Sequence, residues 1–175
     1  MASLIEAVNQ TGSLATLGTH VAALAFGVAA LASREMRTAI TDLFGKWALE
    51  LSFIVALAAM LVSLFYSDVA GYEPCILCWY QRIVMYPQVV LFGVALWKRR
   101  RDVADYALAL SGIGALIAGY HYLLQWGWVT AEPCAASAVS CSKIFLLTFG
   151  YITIPLMSFT AFAVIIILQL IGRRR

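Results

Sequence analysis

Long, nearly uncharged apolar runs constrain the fold of this chain more than any other feature of its sequence. Hydrophobic residues make up 63% of its 175 residues and charged residues only 12%, whereas soluble domains are about half apolar and about a quarter charged. An apolar run of about 20 residues is long enough to cross a bilayer as an α-helix. Because only helices and closed barrels satisfy the backbone within lipid, the runs predict an all-α integral membrane protein.

Five such runs are separated by charged or polar connections. They cover residues 14–32, 47–66, 79–97 and 104–126, with a fifth inside 144–171. The last four predict a four-helix transmembrane bundle core, and the first predicts one additional N-terminal transmembrane helix. The alternative for that first run is a peripheral, interfacial helix. We expect two regions, with the extra helix and an interfacial connection in residues 1–46 and the four-helix domain in residues 47–175.

Positive charges are distributed unevenly about these runs. Of the 12 Lys and Arg residues, only Arg82 and Lys143 fall on one side of a five-span chain. The others lie at three span ends on the opposite side, at positions 34, 37, 46, 98–101 and 173–175. Because cytoplasmic connections carry the excess of Lys and Arg, we expect the C-terminus in the cytoplasm and the N-terminus on the other side.

The 4 cysteines occur as two local pairs, Cys75 with Cys78 and Cys134 with Cys141. Both pairs lie at span ends on the side with few basic residues. Disulfides persist on the oxidising side of a membrane and are rare in the cytosol. The cysteine pairs and the charge distribution therefore independently predict the same orientation, with both pairs outside the cytoplasm.

The first pair lies where a helix is expected to enter the membrane. At about 100° per residue, Cys78 is about 60° around that helix from Cys75, and Arg82 is about 20° from Cys75 on the other side. Both sulfurs and one guanidinium thus share a stripe of the first turns. A helix N-terminus and a fixed positive charge both favour thiolate over thiol, which is the electrostatic setting for disulfide exchange.

The two cysteine pairs are best explained as an electron relay between two disulfides. Three other roles fit them less well. Structural disulfides are disfavoured because a Cys-x-x-Cys ring is short and constrains the unfolded chain little. A four-thiolate metal site is disfavoured because thiolates do not persist on an oxidising face, and we expect no metal. A transporter or channel should carry buried charges along a pathway, whereas the few charged residues here lie near membrane edges.

Several segments together resemble the DsbB/BdbC family of disulfide bond formation proteins, in its short-loop, BdbC-like branch. They are Pro-Cys-Ile-Leu-Cys-Trp-Tyr-Gln-Arg at 74–82, Met85-Tyr86-Pro87, Tyr120-His121-Tyr122, and Pro133-Cys134 through Cys141. The resemblance covers roughly residues 47–170, so the first span is an addition to the usual four. It implies a bacterial cytoplasmic membrane protein that reoxidises a DsbA-like, thioredoxin-fold dithiol oxidase and passes the electrons to ubiquinone or menaquinone.

The resemblance also implies a role for each site residue. Cys134 would form a mixed disulfide with the soluble partner, and Cys141 would then carry electrons to Cys75. Cys78 would be the thiolate that contacts the quinone, and Arg82 would stabilise negative charge there. His121 is expected to contact the quinone or donate a proton.

A related alternative is a quinone reductase similar to vitamin K epoxide reductase, which uses a comparable bundle and two cysteine pairs. In those proteins the loop pair precedes the membrane Cys-x-x-Cys, whereas here Cys134 and Cys141 follow it. The order therefore favours disulfide generation. We expect membrane lipid, quinone and a thioredoxin-fold protein as partners, and no nucleic acid.

Overall fold

A computed structural model describes residues 2–100, 102–130 and 139–173, and the described chain is helical almost throughout. The helices are α1 (Ala2–Ala32), α2 (Arg34–Lys46), α3 (Ala48–Leu64), α4 (Ile76–Trp97), α5 (Ala104–Gln125) and α6 (Ile154–Gly172). A π-helical turn, Phe65–Val69, extends α3. The prediction of an all-α membrane bundle is confirmed.

Four of the described helices are long and apolar enough to cross a membrane: α1, α3 with its π-helical turn, α5 and α6. Helix α4 has 22 residues, as many as α5, but is not among them. Its sequence carries Gln81, Arg82 and Gln88, which lower its mean hydropathy. The predicted span that carries the Cys-x-x-Cys pair is thus interrupted by polar residues.

The connection predicted between the first two spans is itself helical. Helix α2 begins after Ser33, whose hydroxyl accepts a hydrogen bond from the Met36 amide at 3.4 Å, as is usual at a helix N-terminus. The last span begins later than the apolar run suggested. Gly150 adopts φ +76° in the turn before α6, and Pro155 occupies the first turn of the helix instead of interrupting it.

The core forms where α5 packs tightly against α6. A Cβ placed on Gly114 of α5 would lie 2.3 Å from the ring of Phe162, whose side chain is fully buried. Only a glycine lets the two helices approach so closely, which is the usual use of small residues between membrane helices. Small residues of α5 thus serve its packing against α6, with the closest contact at Gly114.

Buried hydrogen bonds also join the helices within the bundle. The Ser111 hydroxyl of α5 donates to the Gln88 side chain of α4 at 2.9 Å. The Gln169 amide of α6 donates to the Ser52 hydroxyl of α3 at 2.8 Å. All four side chains are buried, so these pairs satisfy polar groups that would be costly to leave unpaired in an apolar interior.

Helix α1 contacts the bundle through polar side chains. Thr148 donates to the buried Ser13 hydroxyl at 2.6 Å, and the ring of His20 pairs with Thr160 at 2.9 Å and Tyr151 at 3.3 Å. The additional N-terminal helix therefore packs on the start of α6 and the turn before it.

The basic span ends meet at one end of the bundle. A Cβ placed on Gly172, at the end of α6, would lie 2.8 Å from Ala48 at the start of α3. Arg173 forms an ion pair with Asp105, near the start of α5, at 2.8 Å. Since α4 begins beside Cys75 and ends at Trp97, the cysteine site lies at the opposite end from this basic cluster.

Candidate redox site

A short aromatic stack supports the loop that carries Cys75. The Tyr72 ring stacks on Tyr66 at a centroid distance of 5.7 Å and on Phe145 at 5.0 Å. The Tyr72 amide also donates to the Tyr66 carbonyl at 2.8 Å. Gly71 adopts φ +70°, a conformation available to glycine at little cost. The loop is thereby fixed between the end of α3 and the segment that precedes α6.

Cys75 and Cys78 face each other at the N-terminus of α4. Cys75 is the residue before the helix and Cys78 lies in its first turn. Their sulfur atoms are 3.2 Å apart and both are free thiols. Cys75 is buried, whereas Cys78 is only partly buried. The two thiols are close enough to share a hydrogen bond, and Cys78 is the more exposed of the two residues.

His121, near the end of α5, connects the two cysteine segments. Its Nε2 atom lies 3.7 Å from the Cys75 sulfur and 3.0 Å from the carbonyl oxygen of Cys141. Its Nδ1 atom lies 3.1 Å from the amide nitrogen of Gln81. Because that amide donates and the carbonyl only accepts, the partners place the proton of the neutral ring on Nε2. The N–H group therefore faces Cys75 and Cys141.

These contacts stabilise a thiolate on Cys75. The hydrogen bond with Cys78 is the largest influence, and the hydrogen bond and charge of His121 act in the same direction. Burial opposes them, but the pKa of Cys75 is still lowered from 9.0 to about 4. The sequence predicted a lowered cysteine pKa from the helix terminus and Arg82. The neighbours that lower it are Cys78 and His121.

The second cysteine pair is described only in part. Cys141 is disulfide-bonded and almost completely buried, with 1% of its surface exposed. It belongs to the same buried cluster as Cys75, Leu77 and Leu124, against which Cys78 also packs. Cys134 lies outside the described residues. The structure therefore brings Cys75, Cys78 and Cys141 together.

Arg82 lies on another side of α4 from His121. Its Nε and Nη2 groups donate to the Ser63 hydroxyl at 2.9 Å and to the Ser63 carbonyl at 2.7 Å. Its guanidinium stacks over Trp79 with 5.3 Å to the ring centroid. Cys78 is within reach of its charge. Arg82 is thus held toward α3, whereas His121 reaches the start of α4 from α5. Arg82 acts on Cys78, and His121 contacts Cys75.

The geometry of the site limits what can bind beside Cys75, Cys78 and His121. The two sulfurs and a ring nitrogen of His121 lie within 4.8 Å of one another, which is the ligand set of a three-coordinate soft metal site. The enclosed cavity beside Cys75, Cys78 and His121 is about 30 Å³, room for a water molecule but not for an aromatic ring. A larger oxidant must approach the partly exposed Cys78 from the outside of the bundle.

The sequence reasoning assigned no role to three residues of this network: Gln81, Ser63 and Tyr86. Gln81 is buried and pairs with His121, while the Tyr86 hydroxyl donates to the Ser63 hydroxyl at 3.2 Å. Gln81 directly precedes Arg82, and a polar residue inside a predicted span was the one available signal. That signal did not show which helix Gln81 would contact.

The chain is similar to known disulfide bond formation proteins. Residues 45–172 match the family model for "Disulfide bond formation protein DsbB". The "Disulfide bond formation protein C" of Bacillus subtilis is 42% identical over 134 residues, covering 75% of this chain and 92% of that protein. The "Probable disulfide formation protein C" of Halalkalibacterium halodurans is 44% identical over 121 residues, covering 69% and 88%. No solved structure matches significantly.

Proposed function

Because the chain belongs to the DsbB family of disulfide bond formation proteins, we propose that it reoxidises a soluble thioredoxin-fold dithiol oxidase and passes the electrons to membrane quinone. The observation that carries this proposal is the shared cluster of Cys75, Cys78 and Cys141. An electron relay between two cysteine pairs requires that a thiolate of one can reach a sulfur of the other. The packing of Cys78 against the buried Cys75 and Cys141 at one end of the bundle supports such contact.

The loop pair is proposed to receive electrons first. A thiolate of the soluble partner attacks Cys134, forming a mixed disulfide and releasing Cys141 as a thiolate. The second partner thiol then resolves that bond, so the partner leaves oxidised and the loop pair is left as a dithiol. The burial of Cys141 supports this order, because a buried sulfur is poorly accessible to a soluble protein.

Electrons are then proposed to move from the loop pair to the membrane pair. The Cys141 thiolate attacks the sulfur of Cys75 in its disulfide with Cys78, and resolution of the mixed bond by Cys134 leaves Cys75 and Cys78 reduced. The described state, with Cys75 and Cys78 as thiols and Cys141 in a disulfide, corresponds to the end of this transfer. The Nε2–H group of His121 contacts the Cys75 sulfur and the Cys141 carbonyl. It would stabilise Cys75 as the leaving thiolate.

A bound quinone would accept two electrons and two protons from the Cys75–Cys78 dithiol. The residues present suit such a ligand at the outer surface of α4. Cys78 offers an accessible sulfur, and Arg82 has five N–H donors, two of which are used by Ser63. Its remaining donors suit a carbonyl oxygen, and the charge is permanent at any relevant pH.

The orientation of the site is proposed from the charge distribution. Lys98, Arg99 and Arg100 end α4, and Arg173 ends α6 at the same end of the bundle. Positive residues on the cytoplasmic side would place the cysteine site on the outer face of a bacterial cytoplasmic membrane. Cysteines introduced at Thr130 and at Thr41 would test this with a membrane-impermeant maleimide. Only the Thr130 position should react in intact cells.

A turnover assay tests the function. Purified protein, a reduced thioredoxin-fold partner and a short-chain quinone analogue should show catalytic quinone loss together with partner oxidation. Cys78→Ser and Cys134→Ser should each abolish it, whereas Ser142→Ala, an exposed hydroxyl beside Cys141, should leave it unchanged. Normal turnover in either cysteine variant would contradict the relay. Quinone analogues of both classes would show which one is used.

A further inference from the structure

A large apolar groove lies on the bundle surface away from the cysteines. It has a volume of about 910 Å³ and is lined by α3, α4 and the residues that lead into α5. Its walls include Tyr86, Val90 and Val94 of α4. A volume of this size is at the upper end of the range of ligand sites, about 300–1,000 Å³. The groove is therefore large enough for a lipid-sized molecule.

The length of the groove corresponds to one leaflet of a bilayer. It runs along α4 from Tyr86 to Lys98, which is about 18 Å at 1.5 Å per residue. Half of a hydrocarbon core of about 30 Å is about 15 Å. Val90 and Val94 are 67% and 42% exposed, so the walls accept apolar chains without rearrangement of the core.

The groove ends at two cations. Lys98 and Arg100 both line it. Asp102 lies beside them and pairs with Arg100 at 3.8 Å, with both side chains 71% exposed. An exposed ion pair of that length is weak, so the mouth of the groove keeps a net positive charge. Basic sites between membrane helices on the cytoplasmic side favour anionic headgroups.

We propose that this groove binds one anionic phospholipid, with its acyl chains along α4 and its phosphate beside Lys98 and Arg100. The chain of a quinone would also be apolar, but it carries no charge to match these two cations. The combination of leaflet length and a cationic mouth therefore favours a phospholipid. The site is separate from the cysteine cluster and does not depend on the redox proposal.

Native mass spectrometry of the full chain in detergent tests the proposal. The probes are phosphatidylglycerol and phosphatidylcholine with identical acyl chains. We expect one retained phosphatidylglycerol, bound at least tenfold more tightly than phosphatidylcholine. Lys98→Gln with Arg100→Gln should weaken phosphatidylglycerol binding by roughly thirtyfold, because each basic residue near a headgroup contributes about 1 kcal/mol and about 1.4 kcal/mol is a factor of ten in affinity. Val90→Trp should reduce retention of both lipids by filling the groove.

A matched control removes the same charge elsewhere on the basic end. Arg34→Gln with Arg37→Gln on α2 should leave phosphatidylglycerol binding unchanged. Equal retention of the two lipids, or equal losses in both double variants, would overturn the proposal. It would also be overturned if Val90→Trp raised the KM only for long-chain quinones and left phosphatidylglycerol in place. Normal phosphatidylglycerol binding in a Cys78→Ser protein would show that the lipid site does not depend on the cysteine relay.

Discussion

The Nε2 atom of His121 lies 3.7 Å from the sulfur of Cys75 and also contacts the carbonyl of Cys141. A single buried side chain thus touches Cys75, which lies 46 residues before it in the sequence, and Cys141, which lies 20 residues after it. This contact lowers the pKa of Cys75 together with the larger effect of the Cys78 hydrogen bond. His121 is therefore placed to control how readily Cys75 leaves or attacks as a thiolate.

Replacing His121 with Gln should raise the pKa of Cys75. In a protein with Cys134→Ser and Cys141→Ser, alkylation of Cys75 can be followed by mass spectrometry against pH. A lowered pKa means that the thiolate persists to acidic pH, so the parent should keep its rate well below pH 9 and lose it only near the pKa of about 4. The midpoint should rise by at least one unit when His121→Gln is added. In a His121→Gln protein that keeps all four cysteines, turnover should fall most at low pH.

The chain contains only 2 histidines, which provides a control for this experiment. His20 pairs with Thr160 and Tyr151, outside the cysteine cluster. His20→Gln should leave the alkylation profile of Cys75 unchanged. An unchanged midpoint in His121→Gln would remove His121 from the thiolate environment.

Gln81 should determine which nitrogen of His121 carries the proton. Gln81→Leu removes the donor to Nδ1, and Gln81→Glu replaces it with an acceptor that favours a proton on Nδ1. We expect turnover to fall several-fold in both, with His121 ¹⁵N chemical shifts reporting Nε2–H in the parent and Nδ1 protonation in Gln81→Glu. Gln125→Leu, on the neighbouring α5, is the control. The same tautomer in parent and Gln81→Glu would exclude this role.

Arg82→Lys should weaken interaction with quinone while both disulfides still form. Lysine keeps the charge but loses the planar set of donors. We expect the KM for a quinone analogue to rise about tenfold, with a smaller change in kcat. Ser63→Ala separates binding from anchoring, because it removes only the hydroxyl that accepts from Arg82 and Tyr86. An equal rise in KM in Ser63→Ala would indicate that Arg82 acts mainly by holding α3 and α4 together.

The helices and the location of the site were predictable, because both depend on local features of the sequence. Run length gave the membrane helices, and Cys-x-x-Cys beside a helix start identified Cys75 and Cys78. The start of α6 was harder to predict, because it depends on the left-handed conformation of Gly150. The polar residues that interrupt the apolar run of α4 are the ones that serve the site and the core.

The partners across the helices could not be predicted, because they depend on how the helices rotate against one another. Gln81 follows the membrane cysteines closely in sequence, yet its relevance comes from facing His121 on α5. Likewise, α5 contains several small residues, and only the position of Phe162 shows that Gly114 is the one in close contact. The family resemblance supplied the order of the cysteines, not these contacts.

Gly114→Ala should destabilise the bundle without altering the redox chemistry. The new methyl group would meet the Phe162 ring at 2.3 Å, and overpacking of a core costs about 1–3 kcal/mol. Gly112→Ala is the matched control, because a Cβ there meets nothing within 4 Å. Thermal unfolding in detergent should show a lower Tm for Gly114→Ala alone, with thiol alkylation unchanged. Equal Tm values would show that Phe162 can move aside freely.

His20→Ala should loosen the docking of α1 and leave electron transfer intact. Thr160 donates its own proton to the Leu156 carbonyl at 2.9 Å, so His20 Nε2–H donates to Thr160 and Nδ1 accepts from Tyr151. Hydrogen bonds between membrane helices average about 0.6 kcal/mol, so losing both should cost about 1 kcal/mol. Faster hydrogen exchange or proteolysis in α1 would report the loss. Thr19→Ala, whose hydroxyl bonds within α1, should have no effect. Reduced turnover in His20→Ala would contradict this prediction, because it would show that electron transfer depends on the docking of α1.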